Sequence, residues 1–284
     1  MKIKYSLLNN LKTLTNKEMD FVLYVARIQD DAGHVRGVYY RDVCEKAGMC
    51  KQKFYEVIRS LQDKNIITYT HTNDCDFDIT ILNNDFSYRG SLNEGYVNLS
   101  REVFHTKYFK ELKVKEKWLL LEFLKLSNNK NKSHQIGTDN FYNKYKHLLG
   151  VTKRVVRGYL HTMKRFFSIG CVNGKYYITY RAKVMDPRIT DAYIHGSLGS
   201  AEVDYYYENE INRMCRHYHI KRIEEDARID VIGVIKRYRE RAKLQGKNIL
   251  DVIEKGIYFI AKGKRERFSP AYLNKLTKQA LNLS

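Results

Sequence analysis

The segment from Thr152 to Phe166 carries an unusual concentration of polar and basic side chains. In a helical projection its outward positions are Thr152, Lys153, Arg154, Arg157, His161, Lys164 and Arg165. No Asp or Glu occurs in the segment, whereas an ordinary solvated helix face mixes both signs of charge. An Arg guanidinium can donate two hydrogen bonds to one guanine edge, and Thr or Lys near a helix start can bind phosphate. The pattern therefore predicts contacts with double-stranded DNA.

A second segment, residues 51–63, carries a similar but less uniform surface. Its outward positions are Lys51, Gln52, Lys53, Tyr55 and Arg59, with Glu56 among them. The polar stretch Asn73–Asp76 farther along is acidic, and phosphate would repel it. We expect DNA contact from the helix and not from this acidic tip. The alternative is that this part of the chain serves partly for packing or dimerisation.

The two segments belong to an internal repeat. Residues 47–61 align with residues 149–163 without a gap, at the constant shift that takes Gly48 to Gly150. The apolar positions Phe54, Val57, Ile58 and Leu61 meet Val156, Tyr159, Leu160 and Met163. Their i, i+3, i+4, i+7 spacing predicts one buried helix face in each copy. Each glycine stands where a preceding helix must end, a position that favours a left-handed backbone.

The flanks of the two copies also agree. In the first copy, Thr15 and Glu18 form a capping box that opens a helix through Ile28, and helices at about 39–47 and 51–63 follow. The extended stretches 66–69 and 77–81 come next. In the second copy we expect helices at about 114–127, 139–148 and 152–166.

The second copy then continues into a hairpin. Asn173 and Gly174 lie between alternating apolar residues, a strong hairpin signal, and Lys175 makes the tip basic and able to approach a minor groove or backbone. The order of helix, helix–turn–helix and hairpin resembles the winged-helix superfamily twice, across residues 1–182. The resemblance implies a mainly α fold with small β wings (α+β), in which the second helix of each helix–turn–helix lies in the major groove.

The chain divides by composition into four parts: a first winged-helix domain at 1–88, a second at 95–182, a linker at 183–203 with Pro187 and two glycines, and a helical domain at 204–284. In the last part we predict helices at about 204–220, 224–243, 248–261 and from Ser269 onward. The helix at 248–261 is apolar around more than one face, so we expect it to be buried against a second copy or against the winged helices. A homodimer through the C-terminal helices is the prediction.

Composition limits the class of protein. Fifty-one Lys and Arg residues against 32 Asp and Glu give a formal charge of +19, which favours an anionic partner such as nucleic acid. No apolar run approaches the roughly 20 residues of a membrane-spanning helix, so no membrane partner is expected. The five cysteines form no CxxC pair, which indicates reduced thiols and a cytoplasmic location.

Sites for other chemistry are weaker. Cys215, His217 and His219 alternate in a helical segment and would splay apart, so we expect neither a metal nor another cofactor. His219 to Arg222 matches the HxxR element of tyrosine recombinases, with Tyr258 as a conceivable nucleophile, which leaves a recombinase-like enzyme as a remote alternative. No P-loop, GxSxG or HExxH motif occurs. We expect no enzyme.

The sequence thus predicts a site-specific binder of double-stranded DNA, and a bacterial-type transcriptional regulator is the preferred role. Plasmid and phage replication initiators are the alternative, because they are similar in combining tandem winged helices with strong positive charge. The tail from Phe268 to Lys275 resembles the end of replisome-organiser proteins over fewer than a dozen residues.

Overall fold

A computed structural model describes the chain at residues 1–73, 76–87, 94–99, 103–104, 106–128, 133–181, 200–220, 223–263 and 268–283. The fold is mainly helical with small antiparallel sheets, in agreement with the predicted α+β class. Two compact units are present. The N-terminal unit comprises Met1–Val35, Tyr39–Thr70 and Ile79–Gly199, and the C-terminal unit comprises Arg36–Val38, His71–Asp78 and Ser200–Ser284.

The first repeat begins with a capped helix, as the sequence predicts. Its elements are β1 (Lys2–Lys4), α1 (Tyr5–Leu11), α2 (Asn16–Ile28), β2 (His34–Tyr39), α3 (Tyr40–Ala47), α4 (Lys51–Asp63), β3 (Ile67–Asn73) and β4 (Asp76–Ile81). The backbone N–H of Glu18 donates to the Thr15 hydroxyl and that of Thr15 donates to the Glu18 carboxylate, which confirms the capping box. The strands form a sheet in the order β2–β4–β3, and β2 is an element that the sequence did not predict.

The second repeat follows the same order of helices and strands. Its elements are β5 (Tyr96–Asn98), α5 (Lys107–Glu111), α6 (Val114–Ser127), β6 (Ser133–Gly137), α7 (Thr138–Leu149), α8 (Lys153–Met163), β7 (Phe167–Val172) and β8 (Lys175–Tyr180). The sheet order is β6–β8–β7, and Val172 pairs with Lys175 across the hairpin. Asn173 and Gly174 have φ of 47° and 68°, so the predicted tight turn is confirmed.

Gly48 and Gly150 end α3 and α7 in the same way. Both are left-handed, with φ, ψ of 60°, 49° and 58°, 48°. In each copy the residue after the glycine donates its N–H to a carbonyl five residues back, from Met49 to Cys44 and from Val151 to Lys146. This is the Schellman motif. The two predicted turns therefore set the start of α4 and α8 with the same local geometry.

The buried faces of α4 and α8 match the predicted spacing. Phe54, Val57, Ile58 and Leu61 are buried on α4, while Val156, Leu160 and Met163 are buried on α8 and Tyr159 is half-buried. The two repeats also contact each other inside the N-terminal unit. Strand β1 pairs antiparallel with β5, and the indole N–H of Trp118 on α6 donates to the Leu8 carbonyl on α1 at 2.9 Å.

The C-terminal unit contains four helices: α9 (Ser200–His217), α10 (Glu225–Leu244), α11 (Ile249–Lys262) and α12 (Pro270–Ala280). Helices α11 and α12 begin with side-chain caps at the predicted positions, since the Asn248 side chain accepts the N–H of Leu250 and the Ser269 hydroxyl oxygen accepts that of Tyr272. Most of the predicted linker, at residues 182–199, lies outside the described residues.

Most of the apolar side chains of α11 are buried within its own unit. Its residues Ile249, Leu250, Val252, Ile253, Ile257 and Ile260 are buried in a core that includes Ile211 of α9, Ile235 of α10 and Leu273 of α12. The breadth of the apolar face is therefore explained without a second chain. Among the described residues, no helix is both long enough and apolar enough to cross a membrane.

Candidate nucleic-acid interface

Helix α8 presents its predicted side chains together on one surface. Thr152, Lys153, Arg154, Arg157, His161 and Lys164 are all exposed, opposite the buried face of the helix. At about 100° per residue, the five side chains from Lys153 to Lys164 in this set fall within an arc of roughly 100°. The acid-free surface expected from the sequence is thus a single continuous face, which we call the α8 basic face (Lys153, Arg154, Arg157, His161 and Lys164).

The charges on the α8 basic face are largely free to meet a partner. Lys153 lies 3.9 Å from the Asp139 carboxylate and stands over the ring of Tyr142. Arg154, Arg157, His161 and Lys164 form no ion pair within the described part of the chain. Thr152 is the N-cap, and its hydroxyl oxygen accepts the N–H of Val155 at 3.4 Å. The hydroxyl proton of Thr152 remains able to donate to phosphate.

The second hairpin carries a further exposed cation. Lys175 is exposed at the tip, and the neighbouring carbonyl of Gly174 accepts the N–H of Thr138 at 2.9 Å, which holds the tip at the start of α7. Burial and a hydrogen bond with Tyr142 raise the pKa of Tyr176 to about 12, and the positive charge of Arg157 opposes that increase. The positive charge of Arg157 on α8 is therefore felt at Tyr176, the residue after Lys175 in β8.

Helix α4 is a weaker cationic surface than α8. Lys51, Gln52 and Arg59 are exposed, while Lys53 and Tyr55 are half-buried. The carboxylate of Glu56 accepts hydrogen bonds from Lys53 at 3.0 Å and from Gln52 at 3.1 Å. Two of the five predicted contact residues are thus held by an acid on the same helix.

The remaining positions on α4 differ in their surroundings. Tyr55 packs edge-on against Phe54, and the Lys51 ammonium lies 5.0 Å from the ring centre of Tyr40. Arg59 forms no ion pair in the part of the chain that the structure describes. Arg59 is therefore the position on α4 that most resembles the α8 basic face.

The first hairpin has a different environment, which the sequence did not reveal. Its outer residues belong to the C-terminal unit, where Arg216 of α9 donates to the Asp76 carboxylate at 3.1 Å and to the Gly37 carbonyl at 2.6 Å. Asn209 donates to the Arg36 carbonyl at 2.7 Å. Asp74 and Cys75 of the predicted acidic tip lie outside the described residues. Asp76 is neutralised by an arginine 140 residues farther along the chain.

Packing at Gly37 is equally close. Its φ is +63°, and a Cβ placed there would lie 2.4 Å from Cγ of Arg213 on α9. A larger residue would therefore adopt a strained backbone and force the Arg213 side chain to move. The expectation that this first tip does not approach DNA stays a prediction.

No family model, curated protein or solved structure matches the chain.

The other candidate sites gain no support from the structure. The described residues contain no group of three or more His, Cys, Asp or Glu side chains that could hold a metal ion. Cys215 is buried, and burial raises the pKa of its thiol to about 12. Arg222, which the recombinase-like element requires, lies outside the described residues.

Proposed function

We propose that the chain is a tandem winged-helix protein that binds double-stranded DNA at specific sites. The observation that carries the proposal is the α8 basic face, whose five cationic or ionisable side chains are exposed together without an acid in the helix. Binding of such a surface to DNA is favoured, because each phosphate that it neutralises releases condensed counterions. A solvated helix face with no anionic partner ordinarily carries charges of both signs.

In the proposed complex, α8 lies in the major groove. Arg154 and Arg157 are on the N-terminal half of the exposed face, where a recognition helix approaches base edges. Lys153 and Lys164 flank them along the same face, and Lys175 extends the surface to the hairpin, so these three contact phosphate. Helix α4 supplies Lys51 and Arg59 to an adjacent segment of the duplex.

The proposed cellular role is that of a transcriptional regulator. Two recognition helices on one chain can cover two adjacent major-groove segments, which suits a specific operator. Mapping the bound sites on the source genome separates this role from its alternative. Sites in promoters support the regulator, whereas repeated sites in a replication origin would identify a replication initiator.

We also propose that the C-terminal unit forms a homodimer. The apolar core of α11 is covered by its own chain, and the large apolar side chains that the described part of the unit leaves exposed are Tyr258 and Phe259 on α11 and Ile229 and Leu244 on α10. The adjacent pair Tyr258 and Phe259 is the surface that we assign to a second copy. Light scattering of the protein free and on DNA tests this. A single chain under both conditions would contradict the dimer and would leave the DNA-binding proposal intact.

The DNA-binding proposal is tested by selecting bound sequences from a random duplex library and then measuring affinity against salt. With roughly 6–10 phosphate contacts, log K should fall steeply with log salt, at a slope of about −0.9 for each contact. A scrambled duplex should bind more weakly than the selected one. No enriched sequence, together with a slope shallower than about −3, would overturn the proposal.

A further inference from the structure

The second half of α10 carries a basic surface that the α8 basic face does not include. Between residues 236 and 243 it exposes five cations: Lys236, Arg237, Arg239, Arg241 and Lys243. Glu240 is the one acid in that stretch. We call these five residues the α10 basic surface.

The core of the C-terminal unit fixes the direction of this surface. Val234, Ile235, Tyr238 and Ala242 of α10 are buried, and they alternate with the exposed cations along the helix. Lys236, Arg239 and Lys243 follow one another at i, i+3 and i+7, which places them in a stripe on one side of α10. The stripe is about 10 Å long, at 1.5 Å per residue.

Other arginines of the same unit are used differently. Arg213 pairs with Glu210 and Glu254, Arg216 with Asp76, and Arg228, in the first half of α10, with Glu208 at 3.1 Å. By contrast, Arg237, Arg239, Arg241 and Lys243 form no ion pair within the described residues. Within the described residues the unit therefore neutralises the arginines that hold its helices together, and Arg237, Arg239, Arg241 and Lys243 have no such counter-charge.

The helix dipole accounts for only part of this pattern. Cations are favoured near a helix C-terminus, but the effect is confined to the last turn. Arg241 and Lys243 lie in that turn. Lys236, Arg237 and Arg239 lie one to two turns earlier, so the dipole does not explain them.

We propose that the α10 basic surface binds the phosphate backbone of double-stranded DNA, as a second contact independent of sequence. This inference rests on the proposed DNA-binding function and adds a surface from the C-terminal unit to it. One strand places a phosphate about every 3.4 Å along the helix axis, so a stripe of about 10 Å can follow roughly three phosphates.

An anionic membrane fits this surface less well. A helix that lies in a bilayer interface needs an apolar face for the acyl region. The apolar face of α10 is buried against α9, α11 and α12 instead. The apolar residues that α10 does expose, Ile229 and Leu244, stand at opposite ends of the helix and form no continuous apolar face. The long exposed surface of its second half is charged, and duplex DNA is the partner that such a surface matches.

The test compares the full-length protein with two variants that remove the same charge. The first is Lys236→Gln with Arg239→Gln and Lys243→Gln, on the stripe. The matched control is Lys255→Gln with Lys262→Gln and Lys275→Gln, at exposed positions of α11 and α12. Glutamine is a good helix former, so both variants should keep the helical circular dichroism of the parent. Fluorescence anisotropy with a random-sequence duplex of about 30 base pairs follows binding across a salt series.

Loss of three phosphate contacts should make the slope of log K against log salt shallower by about 2.7, and should weaken binding by about 100-fold near 0.15 M NaCl. The control variant should keep the parental slope within about one unit. Equal salt slopes and equal affinities for the two variants would overturn the inference. The proposed DNA-binding function would still stand in that case, provided that the parent binds the duplex. A parent that binds no duplex would defeat both. Binding to vesicles of phosphatidylserine and phosphatidylcholine is measured for the same variants. If the stripe variant loses vesicle binding but keeps parental DNA binding, the surface would be assigned to a membrane instead.

Discussion

Asp20 on α2 and Lys117 on α6 form an ion pair that joins the two repeats of the N-terminal unit. Lys117 is almost fully buried, at 5% exposure, and its ammonium also stands over the ring of Phe109. A buried lysine is tolerated only when a partner compensates its lost hydration. The pair therefore ties α2 of the first repeat to α6 of the second, and with them the helices that carry the proposed DNA contacts.

Replacing Lys117 by Ala should reduce the free energy of unfolding by about 2–4 kcal/mol, because the substitution removes packed methylenes and leaves Asp20 without its partner. The double variant Lys117→Met with Asp20→Asn should reduce the free energy of unfolding by less than Lys117→Ala does, because it removes both charges and retains the side-chain volume. Urea unfolding measures both. Lys110→Ala, at an exposed position on α5, is the control. Equal losses for Lys117→Ala and Lys110→Ala would contradict the structural role of the pair.

Glu18 should make the protein sensitive to acid. Burial alone would raise the pKa of its carboxyl group, but hydrogen bonds from Lys64, Ser60 and the Thr15 backbone outweigh burial and lower the pKa from 4.5 to about 2. The folded state therefore favours the carboxylate. Its contribution to stability is fully present above about pH 4.5 and is lost as the pH falls towards 2.

The variant Glu18→Gln isolates this contribution, because glutamine keeps the capping geometry and cannot ionise. Near pH 7 we expect its free energy of unfolding to be about 2 kcal/mol lower than that of the parent. The difference should shrink as the pH is lowered from 5 to 2. Urea titrations at a series of pH values check this, and a difference independent of pH would show that the ionised form is not the stabilising one.

Local signals in the sequence predicted much of this fold because they depend on few residues. Gly48 and Gly150 end their helices as expected, since a left-handed backbone is accessible to glycine without steric cost. Asn173 and Gly174 specify a tight turn for the same reason. The α8 basic face was also predictable, because helical spacing alone places its side chains together.

Other features required knowledge of distant partners. Strand β2 contains Gly37 and strand β6 is polar at Ser133 and Gln135, so neither shows a strong strand pattern before it joins its sheet. The contact of Arg216 with Asp76 spans 140 residues, and no local pattern indicates it. The pairing of Glu56 with Lys53 and Gln52 depends on side-chain conformations that spacing does not determine.

Arg154 and Arg157 should determine which DNA sequence is preferred. Replacing either by Ala should cost about 1–3 kcal/mol on the selected site and relax specificity at one position. Lys175→Ala should instead weaken all sequences by a similar factor, because a phosphate contact carries no sequence information. Competition binding with single-base variants of the site distinguishes the two outcomes. Unchanged preference in both arginine variants would show that α8 does not read the bases.

Arg216 should fasten the first hairpin to α9. Its guanidinium donates both to the Asp76 carboxylate and to the Gly37 carbonyl, and both Asp76 and Arg216 are largely shielded from water. Arg216→Ala leaves the buried carboxylate and the carbonyl without this donor, so we expect a loss of about 2–3 kcal/mol in the free energy of unfolding. Amide hydrogen exchange at residues 36–38 and 76–78 should become faster, while exchange in α8 should not change. Arg216→Lys should restore only part of the protection, because one ammonium does not reproduce the planar guanidinium fork.

Arg237→Ala, at an exposed position on α10, is the control for removal of an arginine. Exchange at the hairpin that stays at the parental rate in Arg216→Ala would show that α9 does not hold it.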